Sequence, residues 1–367
     1  MMDPEDVHQQ SIKTGKIIAK TATGRAFLKI LFNYQNTMLV QQYHNITFKT
    51  PLGLAAGFDK DAELTQVMPC LSFGFEEAGS ITGEPCQGNP RPRLWRLKDS
   101  KALLVYYGLK NKGCEEISGQ LKNKTFAFPL GISVAKTNCA ATVPTQAGIY
   151  DYVKALKTFH EKSIGDYYTI NISCPNSFGG QPFTEEKKLE QLLKAVDKMS
   201  IQKPLWIKLS PDIDSQTLDK LMNIALKFNV TGFISSNLTK NSKKAKLRNE
   251  DQKMFKNMNK GGVSGKAVED LSNAQIQQIY KKIEAYKKQK KVKKDIMVIG
   301  CGGIFTAEDA YQKIKAGASL LQMITGMIYQ GPSAISEINQ GLVELLKREG
   351  YNNISEAVGK DAYKEKI

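Results

Sequence analysis

The sequence predicts an α/β fold, a (β/α)8 TIM barrel with a small N-terminal helical extension. Beyond residue 46, short apolar runs rich in β-branched residues alternate with stretches whose apolar residues recur at helical spacing. Eight such runs fit within roughly 300 residues, which is the count of a barrel. Lysines, asparagines and a cysteine fall where these runs end, the edge at which barrels carry their chemistry. A doubly wound open sheet is the alternative architecture.

We expect residues 1–46 to form a separate helical segment and residues 47–367 to form the barrel. The stretch "DPEDVHQQ" favours a helix start, with Asp3 as the N-cap and Pro4 in the first position. Residues 17–40 mix apolar residues with Lys and Arg at helical spacing, which is typical of a helix lying on a membrane surface. The alternative is a cap that packs on the barrel. No apolar run is long enough to predict a membrane span.

The barrel strands follow one another with helical stretches, such as 184–199 and 307–316, between most of them. Strands that alternate with helices predict right-handed crossovers and a parallel sheet. The eight predicted strands lie at 51–56, 74–80, 129–134, 167–173, 204–209, 231–236, 296–300 and 319–324.

Composition limits the class of protein. The chain has six cysteines in 367 residues, with no CxxC motif and no Cys/His cluster, which argues against a disulfide scaffold or a metal site. Its net charge of +16 favours an anionic partner such as a membrane surface or a small acid. The Lys-rich run 286–295 is interpreted as a solvated helix end plus a loop. We expect no nucleic-acid partner, because no groove-reading element with interleaved aromatic residues is visible.

Polar residues mark the carboxyl ends of the predicted strands. In barrels, active-site residues lie at these ends. The residues at these positions, in strand order, are Lys60, Ser80, Ser133, Asn171 with Cys174, Lys208 and Asn237.

Glycine-rich turns after the seventh and eighth strands predict a phosphate site. In "VIGCGGIFTAEDA", Gly302 and Gly303 allow backbone amides to point outward, and Thr306 can cap the helix that follows. "MITGMI" adds Thr325 and Gly326 after the eighth strand. A further turn, "GGVSGKAV", contains Gly265 and is either a lid hinge or a second backbone approach to the same phosphate.

Cys174 in "YTINISCPNS" sits where a strand breaks, because Pro175 cannot continue the ladder. A lone cysteine is more often a packing residue than a base, but its barrel position favours function. Lys208 lies within an apolar strand and must face the barrel mouth or be buried with a partner; a snorkelling side chain is the alternative. In "GNPRPRLWRL", we expect Arg91 and Arg93 to hold the loop by donating hydrogen bonds to carbonyls.

Seven segments of the chain match one family in order. They are "DPEDVH", "PLGLAAGFDKDAE", "GFEEAGSITGEPCQGNPRPRLWRL", "NISCPN", "WIKLSPD", "GGVSGKAV" and "VIGCGGIFTAEDAYQKIKAGASLLQ". Over these segments the chain from Asp3 to about Pro332 resembles the dihydroorotate dehydrogenases, FMN-containing (β/α)8 barrels. "DPExxH" and "GGVSG" resemble the class 2, membrane-associated branch, in which N-terminal helices form a tunnel for the quinone that reoxidises FMN.

The resemblance implies that dihydroorotate loses a C5 proton to Cys174 and a C6 hydride to FMN, giving orotate for UMP synthesis. It also implies that Ser177 passes the proton on, and that the protein lies peripherally at the cytoplasmic face of the cell membrane, with a soluble cytoplasmic enzyme as the alternative. The implied substrate-binding residues are Lys60, Asn171, Asn176 and Asn237. The implied FMN-binding residues are Ala56, Gly57, Lys60, Ser80, Ser133, Asn171, Lys208, Ser236, Gly265, Gly302, Gly303, Thr325 and Gly326.

The chain also departs from the class 2 pattern. Class 2 enzymes carry Ser, and class 1 enzymes Cys, at the position of Cys174; a thiolate serves as a base at neutral pH provided its pKa is lowered. Val105, Lys110 and Ser133 stand where Asn is usual, and Ile324 where an aromatic residue is usual. These differences keep two alternatives open: an FMN oxidoreductase acting on another small cyclic acid, and fumarate or another soluble molecule as the electron acceptor. A non-catalytic barrel that binds a phosphate ligand or a membrane is a third.

Overall fold

Eight parallel strands close into a barrel in the computed structural model, which describes residues 3–290 and 295–364. In chain order the barrel strands are β3 (Leu52–Leu54), β4 (Glu76–Ile81), β7 (Leu130–Val134), β8 (Tyr167–Asn171), β9 (Leu205–Leu209), β10 (Val230–Ser235), β12 (Met297–Cys301) and β13 (Leu320–Met323). The order around the barrel is β10-β12-β13-β3-β4-β7-β8-β9, and β9 pairs with β10 to close it. The predicted (β/α)8 barrel is therefore confirmed, and the open sheet is wrong because the sheet has no free edge.

The remaining strands form two small antiparallel sheets outside the barrel. They are β1 (Gln41–Tyr43), β2 (Ile46–Phe48), β5 (Leu94–Leu97), β6 (Ala102–Val105) and β11 (Gly262–Gly265). The helices are α1 (Pro4–Ala19), α2 (Ala22–Phe32), α3 (Cys114–Leu121), α4 (Thr145–Glu161), α5 (Glu186–Asp197), α6 (Ser215–Ala225), α7 (Asn249–Met258), α8 (Glu269–Lys288), α9 (Ala307–Ala316), α10 (Thr325–Gln330) and α11 (Ser333–Glu349). Residues 291–294 of the Lys-rich run lie outside the described residues.

Aromatic packing fills part of the barrel interior. Tyr167 of β8 stacks on Trp206 of β9, with ring centroids 3.8 Å apart. Both side chains are almost fully buried. A Cβ atom at Gly131 of β7 would lie 2.1 Å from the Tyr167 ring, so this strand position requires glycine. The apolar runs of the sequence thus pack as a closed core, and the polar strand-end residues are left at the carboxyl ends.

Helix α1 begins where the sequence predicts, whereas residues 17–40 are divided between the end of α1, the separate helix α2 and the residues that follow it. The Asp3 carboxylate accepts a hydrogen bond of 2.7 Å from the Glu5 amide, and Pro4 occupies the first helical position. Thr21 caps α2 by accepting from the amide of Gly24. Among the described residues, no helix combines the length and the apolar character that crossing a membrane requires.

A buried ion pair fastens α1 to the barrel. Glu5 is 1 % exposed and lies 2.7 Å from the guanidinium of Arg93. Arg91 adds a 3.0 Å contact to the same carboxylate. Arg93 also donates to the carbonyls of Gln87 and Asn89, at 2.9 and 2.8 Å, which confirms that it holds the loop through carbonyls. The same expectation for Arg91 is wrong, because its guanidinium donates to the carboxylates of Glu5 and Asp6 in α1. The ionic contact to the helix was not visible in the sequence, because the partners are 88 residues apart.

Candidate functional site

Two adjoining cavities open at the carboxyl ends of the strands. The first has a volume of about 170 Å³ and the second about 80 Å³. Predicted residues that line the first are Ala56, Gly57, Lys60, Ser80, Asn171, Cys174, Asn176, Asn237 and Thr325. Predicted residues that line the second are Ala56, Lys208, Ser236, Asn237, Gly265, Gly302, Gly303, Thr325 and Gly326. The fold therefore brings together residues from all parts of the barrel, as the strand-end positions predict.

Cys174 lies three residues beyond β8 in the wall of the first cavity, and its side chain is half-buried. Burial raises the pKa of the thiol to about 11; the backbone amide of Asn176 and the charges of Lys240 and Lys136 oppose this rise without cancelling it. The lowered pKa expected of a base is therefore not what the structure shows. At neutral pH the thiol is protonated, and any base role requires its deprotonation first.

Two predicted site residues lie outside both cavities. The Ser177 hydroxyl donates to the carbonyl of Gly180 at 2.8 Å and that of Cys174 at 3.3 Å. Its placement gives no support to a proton relay from the thiol. Ser133 is fully buried, and its hydroxyl shares a 2.8 Å hydrogen bond with that of Ser80. Ser133 thus orients a cavity residue rather than lining the cavity itself.

A hydrogen-bond network fixes the amides of the first cavity. The Asn171 amide donates to the Ser80 hydroxyl at 2.8 Å, and its Oδ1 accepts from the Ser173 hydroxyl at 3.0 Å. The Asn237 amide donates to the same Ser173 hydroxyl at 2.9 Å. Residues from β4, β8 and the end of β10 are locked together in this way. Side chains held by such a network are preorganised to bind a polar ligand.

Asn176 has an unused acceptor. Its amide nitrogen donates to the Val105 carbonyl at 2.8 Å, which fixes the orientation of the side chain. Its Oδ1 is buried without a hydrogen-bond partner among the described residues. A buried acceptor left unpaired is costly, so this oxygen is suited to a ligand N–H.

Each of the two cavities is lined by a lysine side chain. Nζ of Lys60 lies 4.1 Å above the Tyr107 ring, and burial lowers the pKa of Lys60 to about 8 despite the nearby carboxylates of Asp61 and Glu5. Lys208 is 4 % exposed and lines the second cavity. Lys208 thus lines a cavity at the barrel mouth, which is one of the placements that the sequence left open.

The structure adds residues that the sequence argument did not place in the site. His8 of α1 lines the first cavity, and its Nε2 lies 3.0 Å from the Phe58 carbonyl. Burial lowers the pKa of His8 to about 3, so the imidazole is neutral. The "DPEDVH" segment contained this histidine, but nothing in it indicated where the side chain would point. Leu238 lines both cavities directly after Asn237.

A third cavity, of about 380 Å³, lies between the N-terminal helices and the barrel. Most of its wall is apolar, with Val7 and Ile18 from α1, Leu28 and Phe32 from α2, and Met68 from the barrel domain. It shares five lining residues with the first cavity: His8, Phe58, Leu94, Leu103 and Ile328. An apolar molecule in the third cavity would therefore lie next to the contents of the first.

The turn that lines the second cavity requires glycine at positions 302 and 303. Gly302 and Gly303 have φ angles of +115° and +81°, a region in which side chains are strained. A Cβ atom at Gly303 would lie 2.5 Å from Cβ of Glu269. With these amides and the Lys208 ammonium in its wall, the cavity can bind an anionic group such as a phosphate.

Comparisons of this chain with known proteins identify one family. The model for the family described as dihydroorotate dehydrogenase matches residues 38–346. A protein named dihydroorotate dehydrogenase (quinone) from Haloarcula marismortui is 36 % identical over 86 % of this chain and 83 % of its own length. One of the same name from Crocosphaera subtropica is 36 % identical over 98 % of this chain and 94 % of its own. The crystal structure of ligand-free DHODH from Eimeria tenella superposes with a TM-score of 0.83 at 26 % identity, covering 98 % of this chain and 99 % of that one.

Proposed function

The chain belongs to the dihydroorotate dehydrogenase family, and we propose that it oxidises dihydroorotate to orotate in pyrimidine biosynthesis and passes the electrons to a quinone. The observation that carries the proposal is the convergence of Cys174, three asparagine amides and Lys60 in one cavity, beside a glycine-lined cavity with its own lysine. A small acid that bears amide groups matches the first of these cavities, and a phosphate-bearing cofactor matches the second.

FMN is the cofactor that we propose for the second cavity. When bound, FMN supplies the hydride acceptor for the C6 hydrogen of the substrate. The amides of the Gly302–Gly303 turn and of Gly265 would hold its phosphate, with Thr325 and Gly326 on the β13 side. The Lys208 ammonium would stabilise negative charge on the bound ring, and Ser236 would contact it from the end of β10.

Gly303→Ala should remove the cofactor. Because the new methyl group would lie 2.5 Å from Cβ of Glu269 at a positive φ angle, the turn must shift and its amides move from the cavity. We expect the purified variant to contain little flavin, measured by visible absorbance after denaturation. Gly119→Ala is the matched control, since a Cβ atom there meets nothing within 4 Å. A Gly303→Ala protein with full flavin content would contradict this assignment.

In the first cavity, we propose that Cys174 takes the C5 proton from dihydroorotate. The amides of Asn171, Asn176 and Asn237 would bind the ring, with the unpaired Oδ1 of Asn176 accepting from a ring N–H. Lys60 would pair with the substrate carboxylate. Substrate fixed by these groups presents C5 to the thiolate and C6 to the cofactor cavity.

The third cavity is the quinone site in this proposal. Its apolar wall suits a quinone ring and tail, and its shared wall with the first cavity brings an acceptor close to the reacting centre. Four large apolar side chains of α1 and α2 face solvent: Ile17, Phe27, Ile30 and Leu31, with exposures from 53 to 82 %. Lys and Arg residues alternate with them along both helices. We propose that this face rests peripherally on the cytoplasmic leaflet, from which the quinone enters.

Two half-reactions test the proposal. Anaerobic dihydroorotate should bleach the flavin absorbance of the purified protein, and a short-chain quinone added next should restore it. Fumarate is the comparison acceptor, because a class 1-like cysteine could accompany a soluble oxidant. Flavin that stays oxidised with dihydroorotate would contradict the proposed substrate, and faster recovery with fumarate than with quinone would contradict the proposed acceptor.

A further inference from the structure

The wall of the first cavity carries a second lysine that the proposed function does not use. Lys110 lies on the loop between β6 and α3, and it lines the first cavity together with Lys60. Its side chain is half-buried.

The charge balance of the cavity is positive. No Asp or Glu is among the described residues that line the cavity, whereas Lys60 and Lys110 both line it. Within the described part of the chain, neither lysine forms an ion pair. The Lys110 charge is among the influences that lower the pKa of Lys60 and of His8, which places the three groups within electrostatic range of one another. The carboxylates of Asp61 and Glu5 lie within electrostatic range of Lys60 but do not line this cavity, so the cavity itself presents two cations to an anionic ligand.

Part of the wall of the first cavity is apolar. Val105, at the end of β6, lines the cavity, and its side chain offers no hydrogen bond. Leu238 makes a further part of the wall apolar. This part of the wall offers a ligand no hydrogen bond, whereas Lys110, five residues further along the chain than Val105, offers a positive charge.

We propose that Lys110 is a substrate-binding residue that pairs, together with Lys60, with the carboxylate of the ligand in the first cavity. This inference rests on the proposed function for the identity of the ligand. Two lysines on one carboxylate would make the affinity for the ligand depend more strongly on its carboxylate than on its ring amides. The site should therefore discriminate sharply between a pyrimidine acid and the same ring without its carboxylate.

Binding to the oxidised holoenzyme tests this directly. Orotate and uracil, which differ in the carboxylate, are titrated by calorimetry against wild type, Lys110→Gln and Lys110→Arg. We expect Lys110→Gln to weaken orotate binding about 10–100-fold, the range of one charge-assisted hydrogen bond, and to leave uracil binding unchanged. Lys110→Arg should restore most of the orotate affinity, because it restores the charge.

Lys187→Gln is the matched control, since it makes the same charge change on the exposed side of α5, away from the cavities. In steady state, Lys110→Gln should raise KM for dihydroorotate more than it lowers kcat. Unchanged orotate affinity in Lys110→Gln, or an equal loss for uracil, would overturn the proposal. If wild type binds orotate through Lys110 but is not reduced by dihydroorotate, the proposed function fails while the role of Lys110 stands.

Discussion

Cys174→Ala should abolish the reduction of bound flavin by dihydroorotate while leaving the flavin in place. A positioned base contributes about 10²–10⁴-fold to a proton-transfer step, and a methyl group cannot accept the C5 proton. Cys174 lines the first cavity and not the glycine-rich second one, so flavin content should be preserved. The measurement is the anaerobic bleaching rate in a stopped-flow instrument, with flavin content determined for each preparation.

Cys139→Ala is the matched control for this variant. Cys139 is also a half-buried free cysteine, and it lines neither of the two strand-end cavities. We expect it to bleach at the wild-type rate. Cys174→Ser should keep part of the activity with its pH optimum moved upward, because a hydroxyl is harder to deprotonate than a thiol. An undiminished rate in Cys174→Ala would remove Cys174 from the mechanism.

The pH profile of wild type provides an independent check. The proposed mechanism needs the Cys174 thiolate, whose pKa burial raises to about 11, and the Lys60 cation, whose pKa burial lowers to about 8. Below pH of about 8 the thiolate fraction grows as pH rises, so kcat/KM should rise. Between pH of about 8 and about 11, kcat/KM should stay level, because the gain in Cys174 thiolate is offset by the loss of the Lys60 cation. Above pH of about 11, kcat/KM should fall, because the thiolate is complete and the cation is still being lost. A profile that falls between pH 6 and about 8 would contradict this assignment.

Glu5→Ala should separate the two half-reactions. Glu5 joins α1 to Arg93 and Arg91 of the barrel domain, and α1 forms one wall of the third cavity. Removing one partner of a buried ion pair costs about 3–5 kcal/mol. We expect the lower end, because Arg93 keeps two carbonyl acceptors. Recovery of flavin absorbance with quinone should slow, because a loosened α1 no longer completes the wall of the third cavity. Bleaching by dihydroorotate should change less.

Stopped-flow rates for each half-reaction and thermal unfolding measure this effect. Glu161→Ala is the control, because its pair with Lys157 is exposed on both sides and such pairs contribute about 0–1 kcal/mol. Burial alone would raise the pKa of Glu5, but the hydrogen bonds and charges of Arg93 and Arg91 outweigh it and hold the pKa below 4.5. The contribution of the pair is thus complete above pH 4.5 and is lost as pH falls through the lowered pKa. Equal slowing of both half-reactions in Glu5→Ala would argue against a separate quinone path along α1.

Much of the fold could be predicted from the sequence. All eight barrel strands lie within the predicted runs or within a residue of them, and α9 (Ala307–Ala316) matches its predicted range. These assignments succeed because burial on both faces of a parallel strand leaves a continuous apolar run, and because helices keep their own period. The same strand positions were enough to collect Lys60, Asn171, Cys174 and Asn237 at one end of the barrel.

The chain's own sequence determined the barrel, the strand-end location of the site and the glycine turn, since each depends on local pattern or on a backbone conformation that only glycine adopts readily. Only the tertiary structure decided that His8 lines the cavity of Cys174, that Ser177 does not line it, and that Lys110 and Lys60 line it together. It also decided that the pKa of Cys174 is raised rather than lowered. Desolvation and proximity between distant segments set these properties, and neither quantity exists until the chain has packed.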